Sequence, residues 1–174
     1  DISDKPRFAW RGLMLDVSRH FFTKQEVKRF IDLMAEYKYN VFHWHLSDDQ
    51  GWRVEIKSLP RLTDVGAWRA PRVGNWWERE PQSVTDSLTY GGFYTQDDIR
   101  EVVEYARERF ITVVPEIDVP GHSMALLTAY PEISCTGGPF HVNVGNTFYT
   151  KEENSLCVGK EKTFAILDMI FDEL

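Results

Sequence analysis

The chain has 174 residues, 43% of them hydrophobic, which is enough for one domain with its own hydrophobic core. Its 27 acidic residues exceed its 20 Lys and Arg residues and give a net charge of −7. We therefore expect no nucleic acid among its partners, because nucleic-acid-binding surfaces concentrate positive charge. The apolar runs are only as long as a β-strand, so no membrane span is predicted. No positively charged segment followed by an apolar one opens the chain, so no signal peptide is predicted either.

Strands and helices alternate along most of the sequence. In chain order the pattern predicts a strand at residues 12–17, a helix at 23–37, a strand at 40–46, a helix at 95–110, a strand at 111–119 and a last helix from about residue 163. Both of the first two helices start with a capping box, Thr23 with Glu26 and Thr95 with Asp98. Apolar strands that alternate with helices indicate an α/β fold with a parallel sheet.

The last helix and the two long connections complete the predicted organisation. In the last helix an apolar stripe is expected from Phe164, Leu167, Phe171 and Leu174. The connections, residues 51–94 and 121–159, each follow the carboxyl end of a strand. Connections of this length are uncommon unless they build a functional site.

Charged and polar residues follow the end of each predicted strand. They are Asp16, Ser18, Arg19 and His20 after the first, His43, His45, Asp48 and Asp49 in and after the second, and Glu116, Asp118 and His122 in and after the third. Taken singly, each has an ordinary structural explanation, such as a turn cap or a core histidine. Because parallel strands bind ligands at their carboxyl ends, the three groups together predict one binding site.

The residue types at these positions favour a polar, hydroxyl-rich ligand. The planar guanidinium of Arg19 suits vicinal hydroxyls or a carboxylate, although an ion pair with a nearby Asp would also explain it. His122, if oriented by a carboxylate such as Asp48, would support a general acid or base. Trp76 and Trp77 would either stack on a sugar or pack against their own domain.

A metal-dependent hydrolase is the alternative chemistry. His43 and His45 lie one residue apart at a strand end, and Asp118 or His122 would complete a metal shell. Two histidines at this spacing are a weak signal, and the adjoining residues "SDDQGWR" have no role in such a site. We expect no cofactor.

The stretches "RGLMLDVSRHFF", "YNVFHWHLSDDQGWR" and "VVPEIDVPGHS" together resemble the β-N-acetylhexosaminidases of glycoside hydrolase family 20. The resemblance implies a (β/α)₈ barrel that removes terminal β-linked N-acetylglucosamine or N-acetylgalactosamine with retention, the acetamido oxygen of the substrate acting as nucleophile. It also implies that Arg19 holds the ring hydroxyls of a glycan, that Asp48 and His122 form a dyad supporting the general acid, and that Asp118 lies in the same pocket.

One family motif is absent from the sequence. The family carries its orienting aspartate and its acid in a "His-x-Gly-Gly-Asp-Glu" segment after the fourth strand, and Asp172 with Glu173 is no substitute because it lies in a helical pattern without the glycines. Residues 1–174 are therefore expected to be a partial catalytic domain, the first three β/α units of the barrel, and inactive alone. The isolated chain is expected either to self-associate or to be marginally stable. A non-catalytic amino-sugar-binding module is the alternative.

Two cysteines, Cys135 and Cys157, lie 22 positions apart. From composition alone, a disulfide and two buried thiols are equally good explanations. The resemblance favours the disulfide, and with it an exported protein in a periplasmic, extracellular or lysosome-like compartment.

Overall fold

The computed structural model of the chain describes residues 3–145 and 154–174. The strands are β1 (Gly12–Asp16), β2 (Val41–Asp48), β3 (Gly51–Trp52), β4 (Trp68–Arg69), β5 (Tyr90–Gly91) and β6 (Thr112–Ile117). The helices are α1 (Lys24–Glu36), α2 (Arg61–Asp64), α3 (Gln96–Arg107), α4 (Met124–Ala129) and α5 (Glu161–Glu173). Within the described residues, none of these helices combines the length and the apolar character that a membrane crossing requires.

The main sheet is built from three parallel strands with β2 in the centre. β1 pairs with β2 from Gly12 opposite Val41, and β6 pairs with the other side of β2 from Thr112 opposite Val41. The short β3 turns back antiparallel to the end of β2, and β4 and β5 form a separate ribbon. The predicted α/β class and the order of strands and helices are confirmed.

Helices α1 and α3 begin at their predicted capping boxes. The hydroxyl of Thr23 accepts from the backbone N–H of Glu26, and that of Thr95 accepts from Asp98. Such caps satisfy backbone donors that the first helical turn leaves unpaired. The two helices contact each other, and their buried residues join one hydrophobic core with β2.

The alternation of side chains along β2 separates the core from the site. Phe42 and Trp44 are fully buried, their rings stack at 5.6 Å, and Trp44 also contacts the ring of Tyr94 at 4.8 Å. Successive residues of a strand point to opposite faces, so His43 and His45 lie on the other face. The aromatic core thus fixes which way the two histidines point.

The apolar stripe predicted for the last helix was wrong for three of its four residues. Leu167 is partly buried against the core, but Phe164, Phe171 and Leu174 are each about half exposed. The residues that α5 buries are Thr163, Ile166 and Ile170. Polar contacts at both ends set this rotation: the Thr163 hydroxyl donates to the carbonyl of Cys157, and the Glu173 carboxylate accepts from the backbone N–H groups of residues 57 and 58.

A disulfide joins Cys135 to Cys157, with the two Cα atoms 4.9 Å apart. It lies in the second long connection, which contains α4; residues 146–153 of that connection are outside the described part of the chain. Composition left open whether the two cysteines form a disulfide or remain buried thiols, and the structure has the disulfide. It also fastens the segment before α5 to the segment after α4.

Replacing both cysteines with serine (C135S/C157S) is expected to lower the free energy of unfolding by about 3 kcal/mol, because the crosslink restricts the unfolded chain over 22 positions. Urea unfolding followed by tryptophan fluorescence measures the change. An unchanged midpoint would mean that the disulfide does not stabilise this fold.

Candidate functional site

The carboxyl ends of β1, β2 and β6 meet at one edge of the sheet and bring the predicted polar residues together. Arg19 follows β1, Asp48 ends β2, and Asp118 and His122 follow β6. One polar side-chain atom of each of Asp48, Asp118 and His122 lies within 4.8 Å of the others. All four site residues predicted from the sequence therefore share one cluster.

Asp48 is the centre of the cluster. It is 1% exposed, and its Oδ2 lies 2.5 Å from Arg19 Nη2 and 3.0 Å from His45 Nε2. Its Oδ1 accepts from the backbone N–H of Asp49 at 2.7 Å and lies 3.0 Å from His122 Nδ1. Burial alone would raise the pKa of Asp48, but the contact with His45 and the charge of Arg19 lower it overall, so Asp48 is a carboxylate at neutral pH.

Arg19 is held by a turn as well as by Asp48. Asp16 Oδ1 accepts from the backbone N–H groups of Ser18 and Arg19, each at 3.0 Å, and Asp16 Oδ2 lies 2.8 Å from Arg19 Nη1. Both ordinary explanations, a turn cap for Asp16 and an ion pair for Arg19, are therefore correct. The Arg19 side chain is still 32% exposed, so part of this fixed side chain is open to solvent.

A buried arginine that sequence reasoning did not single out supports this turn. Arg53 is fully buried, and it donates to the backbone carbonyls of Val17 at 3.0 Å and Ser18 at 2.7 Å, and to two more in the β4–β5 region. A Cβ atom at Gly51 would lie 2.2 Å from the guanidinium, so this position requires glycine. The sequence signal for this role was the "GWR" that follows the two aspartates. Its glycine, Gly51, makes room for Arg53, which fixes the backbone before Arg19.

His122 lies on a strained turn after β6. Its φ of +51° is in the left-handed region, which costs a non-glycine residue roughly 1 kcal/mol. The turn is anchored by the buried Asp49, whose Oδ1 accepts from the backbone N–H of Met124 at 3.0 Å. Asp49, whose supporting role sequence reasoning missed, thus helps to place the His122 ring against Asp48.

The two histidines of β2 have different surroundings. His45 is 4% exposed and lies between carboxylates, with Nε2 near Asp48 and Nδ1 2.9 Å from Glu116 Oε2. His43 is 41% exposed on its side chain and contacts the same Glu116 oxygen. Burial would lower the pKa of His45, but Asp48 and Glu116 outweigh it and raise the pKa to about 9.

The metal alternative fits this geometry poorly. Among the described residues, two groups are close enough to share an ion. One is His45, Glu116 and Asp118, and the other is Asp48, Asp118 and His122; His43 is in neither. Arg19 contacts both His45 and Asp48, so a cation there would lie against a guanidinium. A site built on His43 and His45 together is not supported.

Asp118 completes the cluster, and the two tryptophans named from the sequence have other surroundings. No described side chain donates a hydrogen bond to the Asp118 carboxylate, and burial, with the charge of Asp48 contributing, raises its pKa. Trp76 packs on Arg79 and against Gly145, as expected for a tryptophan that contacts its own domain. Trp77 is 63% exposed.

Known proteins with related sequences are hexosaminidases. The model of the glycosyl hydrolase family 20 catalytic domain matches residues 8–174. The β-hexosaminidase of Porphyromonas gingivalis is 44% identical over 174 residues, which is 100% of this chain and 20% of that protein. The β-hexosaminidase of Vibrio furnissii is 59% identical over 131 residues, 75% of this chain and 21% of that protein.

Solved structures agree with the sequence relatives. The family 20 β-N-acetylhexosaminidase of Streptomyces coelicolor has a TM-score of 0.82 and 45% identity, over 98% of this chain and 31% of that chain. A mutant Streptomyces plicatus β-hexosaminidase in complex with its product GlcNAc gives the same TM-score and identity, over 98% and 30%. The chain thus spans less than a third of each of these four proteins. Because the family model matches nearly all of it, the chain belongs to glycosyl hydrolase family 20.

Proposed function

We propose that this chain is the amino-terminal part of the catalytic (β/α)₈ barrel of a retaining exo-β-N-acetylhexosaminidase. In this proposal residues 1–174 supply the first three β/α units, and the whole protein hydrolyses terminal β-linked N-acetylglucosamine or N-acetylgalactosamine. The observation that carries it is the meeting of Arg19, Asp48 and His122 at the ends of three parallel strands in a family 20 chain.

Each residue has a role that its surroundings support. Arg19 is fixed by Asp16 and Asp48 and its side chain is 32% exposed, so its guanidinium is already oriented to bind vicinal sugar hydroxyls. Asp48 holds Nδ1 of His122, and in this proposal the opposite ring nitrogen, Nε2, contacts the general acid in the working enzyme. Asp118 contributes a carboxyl group that accepts a hydrogen bond from the same sugar.

The reaction would be substrate-assisted. The acetamido oxygen attacks the anomeric carbon as the leaving oxygen is protonated, and water then opens the cyclic intermediate with retention. In the family, an adjacent Asp and Glu orient the acetamido group and donate the proton, and that pair is absent from this sequence. We therefore expect no hydrolysis by these 174 residues alone.

The exposed apolar surface along β1 supports a domain that continues. Phe8 and Trp10 are 64% and 70% exposed, and Met14 on β1 is 53% exposed. Within the described residues, β1 and β6 each pair with β2 alone among the parallel strands. Further barrel strands would cover these surfaces, and without them the isolated chain is expected to self-associate.

An amino-sugar-binding module remains the second candidate, because the oriented Arg19 is present while the Asp-Glu pair is not. The hydrolase and the binding module predict different results in a simple assay. The longer protein that contains this chain should release nitrophenol from an aryl β-N-acetylglucosaminide and leave the corresponding β-glucoside intact. Saturable N-acetylglucosamine binding without hydrolysis would favour the binding module.

Replacing Arg19 with alanine in that longer protein is expected to lower kcat/KM about 100-fold, since charge-assisted contacts to the sugar are lost. Arg100→Ala is the matched control, because Arg100 is exposed and pairs only with residues of its own helix turn. An Arg19→Ala protein with the kcat/KM of the control would remove Arg19 from the site.

Asp48→Asn should lower kcat at least about 100-fold with a much smaller change in KM, because an amide no longer holds His122 as a charged acceptor does. The same change should cost about 3 kcal/mol of unfolding free energy, since it removes the buried anion with which Arg19 and His45 pair. Asp97→Asn, at a 93% exposed side chain, is the control. A fully active Asp48→Asn enzyme would contradict the dyad.

A further inference from the structure

His45 lies between two carboxylates that come from different strands. Its Nε2 is 3.0 Å from Asp48 Oδ2, at the end of β2, and its Nδ1 is 2.9 Å from Glu116 Oε2, on β6. Glu116 lies off the direction of the Nδ1–H bond, so this contact is an ion pair rather than a straight hydrogen bond. The ring is 4% exposed, so it has little contact with bulk water.

This geometry selects one protonation state. A neutral imidazole has one N–H donor and one acceptor nitrogen, and the acceptor would then face a carboxylate oxygen inside the protein. The imidazolium avoids this, because its Nε2–H reaches Asp48 and its charge lies against Glu116 at Nδ1. A neutral ring whose Nε2 accepted from Arg19 Nη1 would instead turn a lone pair towards the Asp48 carboxylate. The pKa of about 9 has the same origin: Asp48 and Glu116 outweigh the effect of burial.

Four anionic groups around His45 favour the imidazolium, and one cationic neighbour opposes it. The anionic groups around His45 are Asp16 from β1, Asp48 from the end of β2, and Glu116 and Asp118 from β6 and the residue after it. The cationic neighbour is Arg19, with Nη1 3.1 Å from His45 Nε2, and Arg19 is itself paired with Asp16 and Asp48. His43 contacts Glu116 Oε2, the oxygen that also faces His45, and His122 contacts Asp48 through its other oxygen, Oδ1.

His43 provides an internal comparison. It lies two residues earlier on the same face of β2 and contacts the same Glu116 oxygen. Its side chain is 41% exposed, and Asp48 is not among its contacts. The two histidines thus share a strand face and a partner, and differ in the link to Asp48.

We propose that His45 is a positioning residue whose imidazolium ties Asp48 to Glu116 and so holds the carboxylate that orients His122. The link joins the second strand of the site to the third through one ring. Its consequence for catalysis rests on the proposed function of the Asp48–His122 dyad; the protonated bridge itself does not.

The bridge is tested by nuclear magnetic resonance on the 174-residue chain with ¹⁵N-labelled histidine, which gives signals from only five residues. At pH 7.5 both ring nitrogens of His45 should carry a proton, and the ring should lose one near pH 9. Glu116→Gln should lower the pH of that loss by about one unit, because it removes one of the two anions. A neutral His45 at pH 7.5, or a titration that Glu116→Gln does not change, would overturn the proposal.

A stability measurement gives the same bridge a second readout. Because the folded pKa of His45 is raised above the ordinary 6.5, its stabilisation is complete below pH 6.5 and is lost as the pH rises towards 9. The free energy of unfolding should therefore fall over this window, and the fall should be smaller in His45→Gln than in the control His43→Gln. Equal slopes in the two variants would contradict the bridge. If His45→Gln does not fold, the Glu116→Gln titration decides.

The kinetic consequence is measured separately in the longer protein. His45→Gln should lower kcat about tenfold or more with little change in KM, whereas His43→Gln should not. His45 could prove to be protonated in a way that depends on Glu116, while His45→Gln leaves kcat unchanged. That result would refute the positioning role and leave the hexosaminidase assignment intact. Absence of hydrolysis by the unmodified longer protein would instead contradict the proposed function.

Discussion

A single buried carboxylate, Asp48, organises the functional end of this fold. A charge in the interior is stable only when its oxygens are fully paired, and here the partners come from three places: Arg19 after β1, His45 within β2 and His122 after β6. Satisfying Asp48 therefore brings the ends of three parallel strands into one arrangement. The same contacts that stabilise the charge orient the groups that would bind and process a sugar.

The polar end depends on the apolar core beneath it. Phe42 and Trp44 lock one face of β2 against the helices, so His43 and His45 must face the site. Arg53 then fixes the backbone before Arg19 through carbonyl groups, without contributing a ligand-binding atom itself. Rigid support of this kind matters for a glycosidase, because displacement of a binding group by about 1 Å is enough to reduce the rate greatly.

Local patterns predicted the elements well and the long-range polar contacts poorly. Capping boxes and apolar spacing located α1 and α3, and the strand ends correctly identified Arg19, Asp48 and His122 as neighbours. The buried face of α5 was missed because Glu173 is bound by the backbone of residues 57 and 58, which lie more than 100 positions away in the sequence. The bridge from His45 to Glu116 spans 71 positions, and no spacing rule within one strand encodes such a pair.

The most direct test of the account is a crystal structure of the longer protein with N-acetylglucosamine bound. The account predicts guanidinium nitrogens of Arg19 at about 3 Å from hydroxyls of the sugar. It also predicts Nε2 of His122 facing a carboxyl group from the part of the protein that follows this chain. A sugar bound elsewhere, or bound here with Arg19 turned away from it, would contradict the claim that these residues form the sugar-binding part of a hexosaminidase site.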